Sequence, residues 1–401
     1  MNDMAAVNKG NGAALPAYPL PPASLAQLGF HAPALARLRG VINGHISEGR
    51  YPGAQIALAR HGQLALFETF GRASLEGNKA AADDTLWLLF SNTKVITAMG
   101  IWALVEDGLL TFNDRIAEHM PEFAQHGKGD ITLALLLSHR AGFPSQNVTP
   151  AVWTDHAEMR RQVCNFTLEW TPGSRLHYHG KSALWVAAAL IETVSGMDYR
   201  DFLRQRIIEP LGLARDIFVG LPDAEHARVA TMYEPAIGQQ DQQDKPAAVD
   251  SKQQALKDEN TAAHRRAGVP SSGGYATARG MAALYQMMAN FGTLNGTRIF
   301  SRRLVEFVTR NHTGDMHDGG MHMPMHRGLG VHTRGVSDKI RGLGAIASPR
   351  TFGHGGVGTS YCWADPDSGV SFAYISNSRI PDPWHSRRLD VIANLVHSAI
   401  D

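Results

Sequence analysis

Between residues 32 and 49, Leu35, Leu38, Val41, Ile42 and Ile46 recur at the spacing of a helix with one buried face. The runs AQIALAR and LALFETFGRA then flank HGQ, and two strand-like runs around a His-Gly turn predict a hairpin. The far end of the chain repeats the arrangement. TSYCWA and VSFAYIS flank DPDSG, a second hairpin with strong turn chemistry, and RRLDVIANLVHSAI places Leu389, Ile392 and Leu395 on one helical face. The middle of the chain reads as mostly helical, over 94–108, 181–195, 199–207, 277–290 and 301–309.

The economical architecture is α+β: an antiparallel sheet flanked by N- and C-terminal helices, plus an inserted helical domain. Residues 27–88 and 330–401 are expected to build the α/β sheet domain, and 89–329 the mostly helical insert. Residues 1–26, rich in Pro, Ala and Gly, read as a loose extension. Residues 235–266 are polar and Gln-rich and read as a long surface loop.

Composition narrows the class. The 401 residues are 44% hydrophobic and 19% charged, enough for a large core, and the net charge of +1 offers no nucleic-acid surface. Two cysteines, Cys164 and Cys362, imply neither a disulfide framework nor a metal site. The start of the chain lacks a basic segment followed by an apolar core, so a cytoplasmic enzyme is the simplest expectation. LWLLFSNTKVITAMGIWALV is long enough for a membrane span, but four polar residues and one charge make it a buried helix of a soluble protein.

That one charge is Lys94, the only Asp, Glu, Lys or Arg between Thr85 and Val105. A buried charge is costly unless it is paired or working. If a helix begins near Ser91, Ser91 and Lys94 are neighbours on one face, at the positive end of the helix dipole. Dipole and desolvation both lower a lysine pKa, and a neutral amine beside a hydroxyl is a general base beside a nucleophile. S-x-x-K alone is a weak pattern, equally a capping serine and a snorkelling lysine, but it occurs once and in an apolar setting. G-x-S-x-G is absent, which lowers the α/β-hydrolase reading. In TPGSRLHYHG a Pro-Gly turn leads to Tyr178, placed for a cleft mouth or for a half-buried core position. In FGHGGVGTSYCW a glycine-rich strand enters the second hairpin, a mark of close approach by backbone or ligand, or of a bulge.

Together, Ser-x-x-Lys, then Tyr after a Pro-Gly turn, then His-Gly-Gly on a late strand resembles the serine β-lactamase and penicillin-binding-protein-like superfamily. The branch it looks like is the family VIII carboxylesterases, relatives of class C β-lactamases. LLLSHRAGF (135–143), PSSGGYATARGMAAL (270–284) and RGLGV (327–331) support the resemblance, which spans roughly 30–400. It implies a β-lactamase/transpeptidase-like fold with Ser91 as acylated nucleophile. Lys94 would help remove its proton, and Tyr178 would assist and then protonate the leaving group. The backbone N–H groups of Ser91 and Val357 would form the oxyanion hole. His354 would stand where the family has the lysine of Lys-Thr-Gly, with Gly355 and Gly356 beside it at the substrate. Two departures matter: Gly180 replaces the asparagine of Tyr-x-Asn, and His354 replaces that lysine. Both losses favour a neutral ester over a β-lactam.

Further candidates are weaker. His312, His317, His322 and His326 lie in a Met- and His-rich stretch that suggests a soft-metal site, but Met side chains lining an acyl pocket are the preferred reading. His177 and His179 flank Tyr178, and for His179 polar contacts near the cleft are preferred over zinc. Trp363 is a candidate pocket wall, or core. No cofactor or metal is expected. The expected function is a serine carboxylesterase acting on short-chain esters. The alternatives are acyl transfer, β-lactam or D-amino-acid amide hydrolysis on the same fold, or a non-catalytic scaffold. The expected partner is a small-molecule ester, with no nucleic acid and no membrane; oligomeric state is left open.

Overall fold

The computed structural model describes residues 18–235, 252–337 and 342–401. The chain opens with α1 (Ala32–Ser47), β1 (Gly53–Arg60), β2 (Gln63–Ser74) and β3 (Lys79–Ala80). Three long helices follow in the middle, α2 (Thr93–Glu106), α3 (Ser182–Ser195) and α4 (Ala278–Ala289), with shorter helices between them. It returns through β4 (His332–Thr333), β5 (Phe352–Gly356), β6 (Ser360–Asp365), β7 (Val370–Ser376) and α5 (Trp384–His397). One seven-stranded sheet, in the order β4-β5-β6-β7-β1-β2-β3, joins the two ends of the chain, and each of its pairings is antiparallel.

Strand alternation explains how the sheet is covered. Ile56 and Leu58 of β1, Trp363 of β6, and Phe372 and Tyr374 of β7 point to one face. There they meet Leu35, Leu38 and Ile42 of α1 and Leu389, Ile392 and Val396 of α5. The intervening residues, Ala57, Ala59, Cys362, Ala364 and Ala373, are small and belong to the other core. Small side chains let α4 lie close on that face through Met281, Leu284, Tyr285 and Met288. In the same core lies α2, buried on every side from Thr93 to Leu104, as a helix apolar all round must be. Gly100 lets α3 approach it: a Cβ there would lie 2.6 Å from the Ile191 side chain.

The predicted hairpins and long helices fall where the hydrophobic pattern puts them. Two segments differ. Of the extension expected over 1–26, residues 1–17 lie outside the described residues. From Tyr18 onward the chain is packed: Leu20 is buried, Tyr18 donates to the Arg279 carbonyl at 2.6 Å, and Ala23 N–H bonds to Leu64 O. Of the polar stretch 235–266, residues 236–251 lie outside the described residues. Its remainder carries structure that Gln-rich composition hides: Gln253–Ala255 pairs with Tyr233–Pro235, and Ala262–Ala267 is a helix capped by Thr261. Local pairing and a single cap suffice to order such short polar pieces.

Trp363 is the main correction to the sequence reading. It is 1% exposed and stacks on His397 with ring centroids 4.3 Å apart, under α1 and α5. It is core and walls no cleft, because it shares the sheet face that α1 and α5 cover. Trp363→Ala is therefore expected to cost about 3–5 kcal/mol in stability, read by chemical denaturation.

Candidate active site

The turn Phe90–Asn92 delivers the chain into α2. Phe90 takes φ +46°, a left-handed conformation that non-glycine residues avoid, so Ser91 sits on a sharply bent entry to the helix. The helix proper begins at Thr93, two residues later than the sequence pattern suggests, and the pairing it implied is still made: Lys94 Nζ donates to Ser91 Oγ at 3.0 Å. Lys94 is 1% exposed, and its other bond is to the Ser271 carbonyl at 2.9 Å. Burial holds Lys94 well below the usual lysine range, and the charges of Arg327 and Lys181 push the same way.

The Ser271 carbonyl is placed by the segment 270–275, which is tied at two points to α2 and at a third to Leu89 ahead of it. Thr97 Oγ1 donates to Pro270 O at 2.7 Å, Gly274 N–H donates to Thr93 Oγ1 at 2.9 Å, and Leu89 N–H donates to Gly274 O at 2.8 Å. From the sheet side, Asn92 Nδ2 donates to Ser360 Oγ at 2.8 Å.

Tyr178 comes from the irregular segment ahead of α3 and brings its ring centroid 5.2 Å from Lys94 Nζ. Its backbone is fixed from two directions. Tyr178 N–H donates to Asp318 Oδ1 at 3.0 Å. Its neighbours bond to His139: His177 N–H to the carbonyl and His179 N–H to Nδ1. Asp318 is itself buried against Arg327, Nη2 to Oδ2 at 2.5 Å, with both side chains at or below 1% exposure. Burial alone would raise the Asp318 carboxyl, but Arg327 and the backbone N–H groups of Tyr178 and Gly320 hold it below the usual range.

β5 closes the site. A Cβ at Gly356 would lie 2.5 Å from the Leu89 carbonyl, so glycine is what lets this strand end against the Ser91 turn. Gly355 is similarly confined, its Cβ position 2.8 Å from the Tyr361 ring. Ser91 and Val357, the expected oxyanion pair, both line a cleft of about 400 Å³ with Tyr178, Met321, His332, His354, Gly355, Gly356 and Tyr361. His354 Nδ1 donates to the Gly355 carbonyl at 2.9 Å, and burial, then Lys94 and Arg327, push its pKa down to about 3. It is a neutral imidazole. The one arginine lining the cleft among the described residues, Arg379, is paired with Glu234 and Glu259.

Ser91, Lys94, Tyr178, Val357, His354, Gly355 and Gly356 thus come together. His179 does not reach the cleft. It is fully buried, Nδ1 on the His177 carbonyl and Nε2 accepting from Phe143 N–H, so both nitrogens serve the backbone. In β6, Tyr361, two residues before Trp363, lines the cleft. The Met- and His-rich stretch sends Met321 to the cleft, but its histidines separate: His312 bonds Phe307 O and His326 meets Asp315. Among the described residues the one cluster with metal-ligand spacing is His156, Glu192 and Asp198, remote in sequence from these histidines. No helix of the described residues is long and apolar enough to cross a membrane. Sequence reasoning missed Asp318, Arg327, His139 and His332. LLLSHRAGF and RGLGV hold two of the four, His139 and Arg327, but nothing in one sequence ties those stretches to Tyr178.

The antiparallel sheet covered on one face by both terminal helices, with a serine and a buried lysine at the head of a buried helix, defines the β-lactamase/transpeptidase-like fold. The chain belongs to the Beta-lactamase family, which matches residues 38–397. It is a serine hydrolase of that fold. It is 29% identical over 359 residues to "Esterase/beta-lactamase LipL" of Mycobacterium tuberculosis, covering 82% of this chain and 77% of the relative. Its structure is similar to that of a family VIII carboxylesterase, with TM-score 0.77 and 28% identity over 93% of this chain and 99% of the other. A penicillin-binding protein homologue from Caulobacter crescentus is as similar, with TM-score 0.77 and 29% identity over 92% and 98% of the two chains.

The contact between β5 and the Ser91 turn can be tested alone. Gly356→Ala should push the strand off the Leu89 carbonyl and displace the Val357 N–H. Turnover of an activated ester is expected to fall about 10²-fold or more, the usual effect of losing one oxyanion donor, with the circular dichroism spectrum unchanged.

Proposed function

We propose that the protein is a carboxylesterase that hydrolyses short-chain esters through an acyl-enzyme on Ser91. Lys94, kept poor in protons by burial, takes the serine proton together with Tyr178 as the hydroxyl attacks the ester carbonyl. Tyr178 returns a proton to the departing alcohol. Water repeats the sequence to release the acid. The N–H groups of Ser91 and Val357 meet the negative charge that develops on the carbonyl oxygen. Lys94 and Tyr178 act as a coupled pair, so the activity titrates with the pair rather than with either residue.

The observation that carries the ester reading is the charge state of the cleft. Arg379 is compensated, and His354 is neutral where the family has a lysine. A substrate carboxylate would find no unpaired lysine or arginine lining the cleft among the described residues, whereas a neutral ester needs none. The esterase names of two similar proteins agree. A second reading, amide hydrolysis on β-lactam or D-amino-acid compounds, draws on the penicillin-binding protein homologue and on the other half of the LipL name. Acyl transfer to an alcohol would use the same acyl-enzyme.

Ser91→Ala is expected to abolish hydrolysis of a p-nitrophenyl short-chain ester while the fold persists; full activity in that variant would sink the mechanism. Lys94→Ala and Tyr178→Phe should each lower kcat about 10²–10⁴-fold, the range of one proton-transfer role. A parallel screen of esters, a chromogenic cephalosporin and D-amino-acid amides separates the readings. Rapid lactam turnover with negligible ester hydrolysis would reverse their order.

A further inference from the structure

Two basic side chains approach the ring of Tyr178. Lys94 Nζ lies 5.2 Å from its centroid and Arg327 Cζ lies 5.0 Å from it. The proposed reaction uses the first and leaves the second unexplained. Arg327 is fully buried and gives both Nε and Nη2 to Asp318 Oδ2, at 3.0 and 2.5 Å. Among the described residues its Nη1 has no hydrogen-bond partner. The other oxygen, Asp318 Oδ1, accepts from the N–H groups of Tyr178, Gly320 and Met321. One carboxylate therefore holds the Tyr178 backbone with one oxygen and a guanidinium near the Tyr178 ring with the other.

A purely structural staple would not need charge. Buried ion pairs are costly to desolvate, and apolar residues of similar volume often serve stability as well or better. A charged pair beneath a proton-transfer pair is a functional lead. We propose that Arg327 is a positioning residue for Lys94 and Tyr178, seating the Tyr178 ring and supplying a fixed positive charge that favours release of a proton from that pair. This rests on the reading that Lys94 and Tyr178 deprotonate Ser91.

The sign follows from charge alone. A fixed cation disfavours an ammonium and favours a phenolate, so whichever member holds the proton, the pair gives it up at lower pH. The groups facing the pair come from several elements. Ser91 and the Ser271 carbonyl bond Lys94; His139, His332 and His354 surround the Tyr178 ring; Asp318 holds its backbone. The charges that act on Lys94 are those of Arg327 and Lys181. His139 and His354 are driven by burial away from the protonated form, with Arg327 adding to the effect on each.

The test is the pH dependence of Ser91 phosphonylation by a p-nitrophenyl alkylphosphonate, followed by intact mass. It compares the unaltered protein with Arg327→Lys and with the double variant Arg327→Gln/Asp318→Asn, which strands no buried charge. Folding of each is checked by circular dichroism. In the double variant the acid limb should move up by about one pH unit, a tenfold slower reaction at a given acidic pH. Arg327→Lys should keep the limb near its original position with a lower plateau. A folded double variant whose plateau falls while its limb stays fixed would reduce Arg327 to a structural staple and overturn the proposal. So would an Arg327→Lys limb displaced as far as that of the double variant. Failure of the unaltered protein to label at Ser91 at any pH would overturn the underlying reading and the proposal with it.

Discussion

Lys94 is an amine enclosed in protein with two oxygen acceptors and, among the described residues, no carboxylate partner: the Ser91 hydroxyl and the Ser271 carbonyl. An ammonium in that place keeps two hydrogen bonds but loses its water, a desolvation worth several kcal/mol. The lysine is therefore held toward its neutral form, and on the proposed reading that amine, 3.0 Å from the Ser91 hydroxyl, serves as its base. Much of the surrounding structure follows from this need. The helix that carries Lys94 must be buried on all sides, which takes α3 on one flank and the end of β5 near its head. The Ser271 carbonyl must be fixed, which takes the threonines at 93 and 97 that pin segment 270–275 to the helix.

The same turn is pinned from the sheet. Asn92 reaches Ser360 on β6, and Gly356 of β5 comes within reach of the Leu89 carbonyl only because it lacks a side chain. So Ser91 is braced by backbone and side-chain bonds from elements distant in sequence. This is how a strained Phe90 persists, since its local cost is met by contacts that over-determine the turn.

Legibility in the sequence followed periodicity and chemistry. Both terminal hairpins and all the long helices were readable, because strand alternation and helical spacing are local. Ser91, Lys94 and Tyr178 were readable because one lysine in an apolar run is anomalous and because the three motifs occur in the resembling family's order. Residues whose role depends on which way a strand faces were not. Trp363 and Tyr361 differ by two positions and share a face, yet one stacks on His397 and the other reaches the cleft. His179 was mistaken for a cleft residue because its neighbour is one, while its own ring turns to the backbone of Phe143. The Asp318–Arg327 pair was illegible for a different reason. Its partner, Tyr178, is 140 residues away from Asp318 along the chain, and no local pattern reports that distance.

The arginine beside Tyr178 and the arginine lining the cleft are each paired with a carboxylate. Arg327 has Asp318, Arg379 has Glu234 and Glu259, and His354 is uncharged. On the proposed reading, the one charge left to be stabilised is the transient oxyanion, and the N–H groups of Ser91 and Val357 are aimed at it. Backbone donors suit that task because they are already oriented when the charge appears. A substrate with its own fixed anion would instead lose hydration on entering this mainly apolar cleft without gaining a counter-ion there. The same burial that keeps Lys94 ready to act thus also selects, by desolvation, for substrates that are neutral before they react.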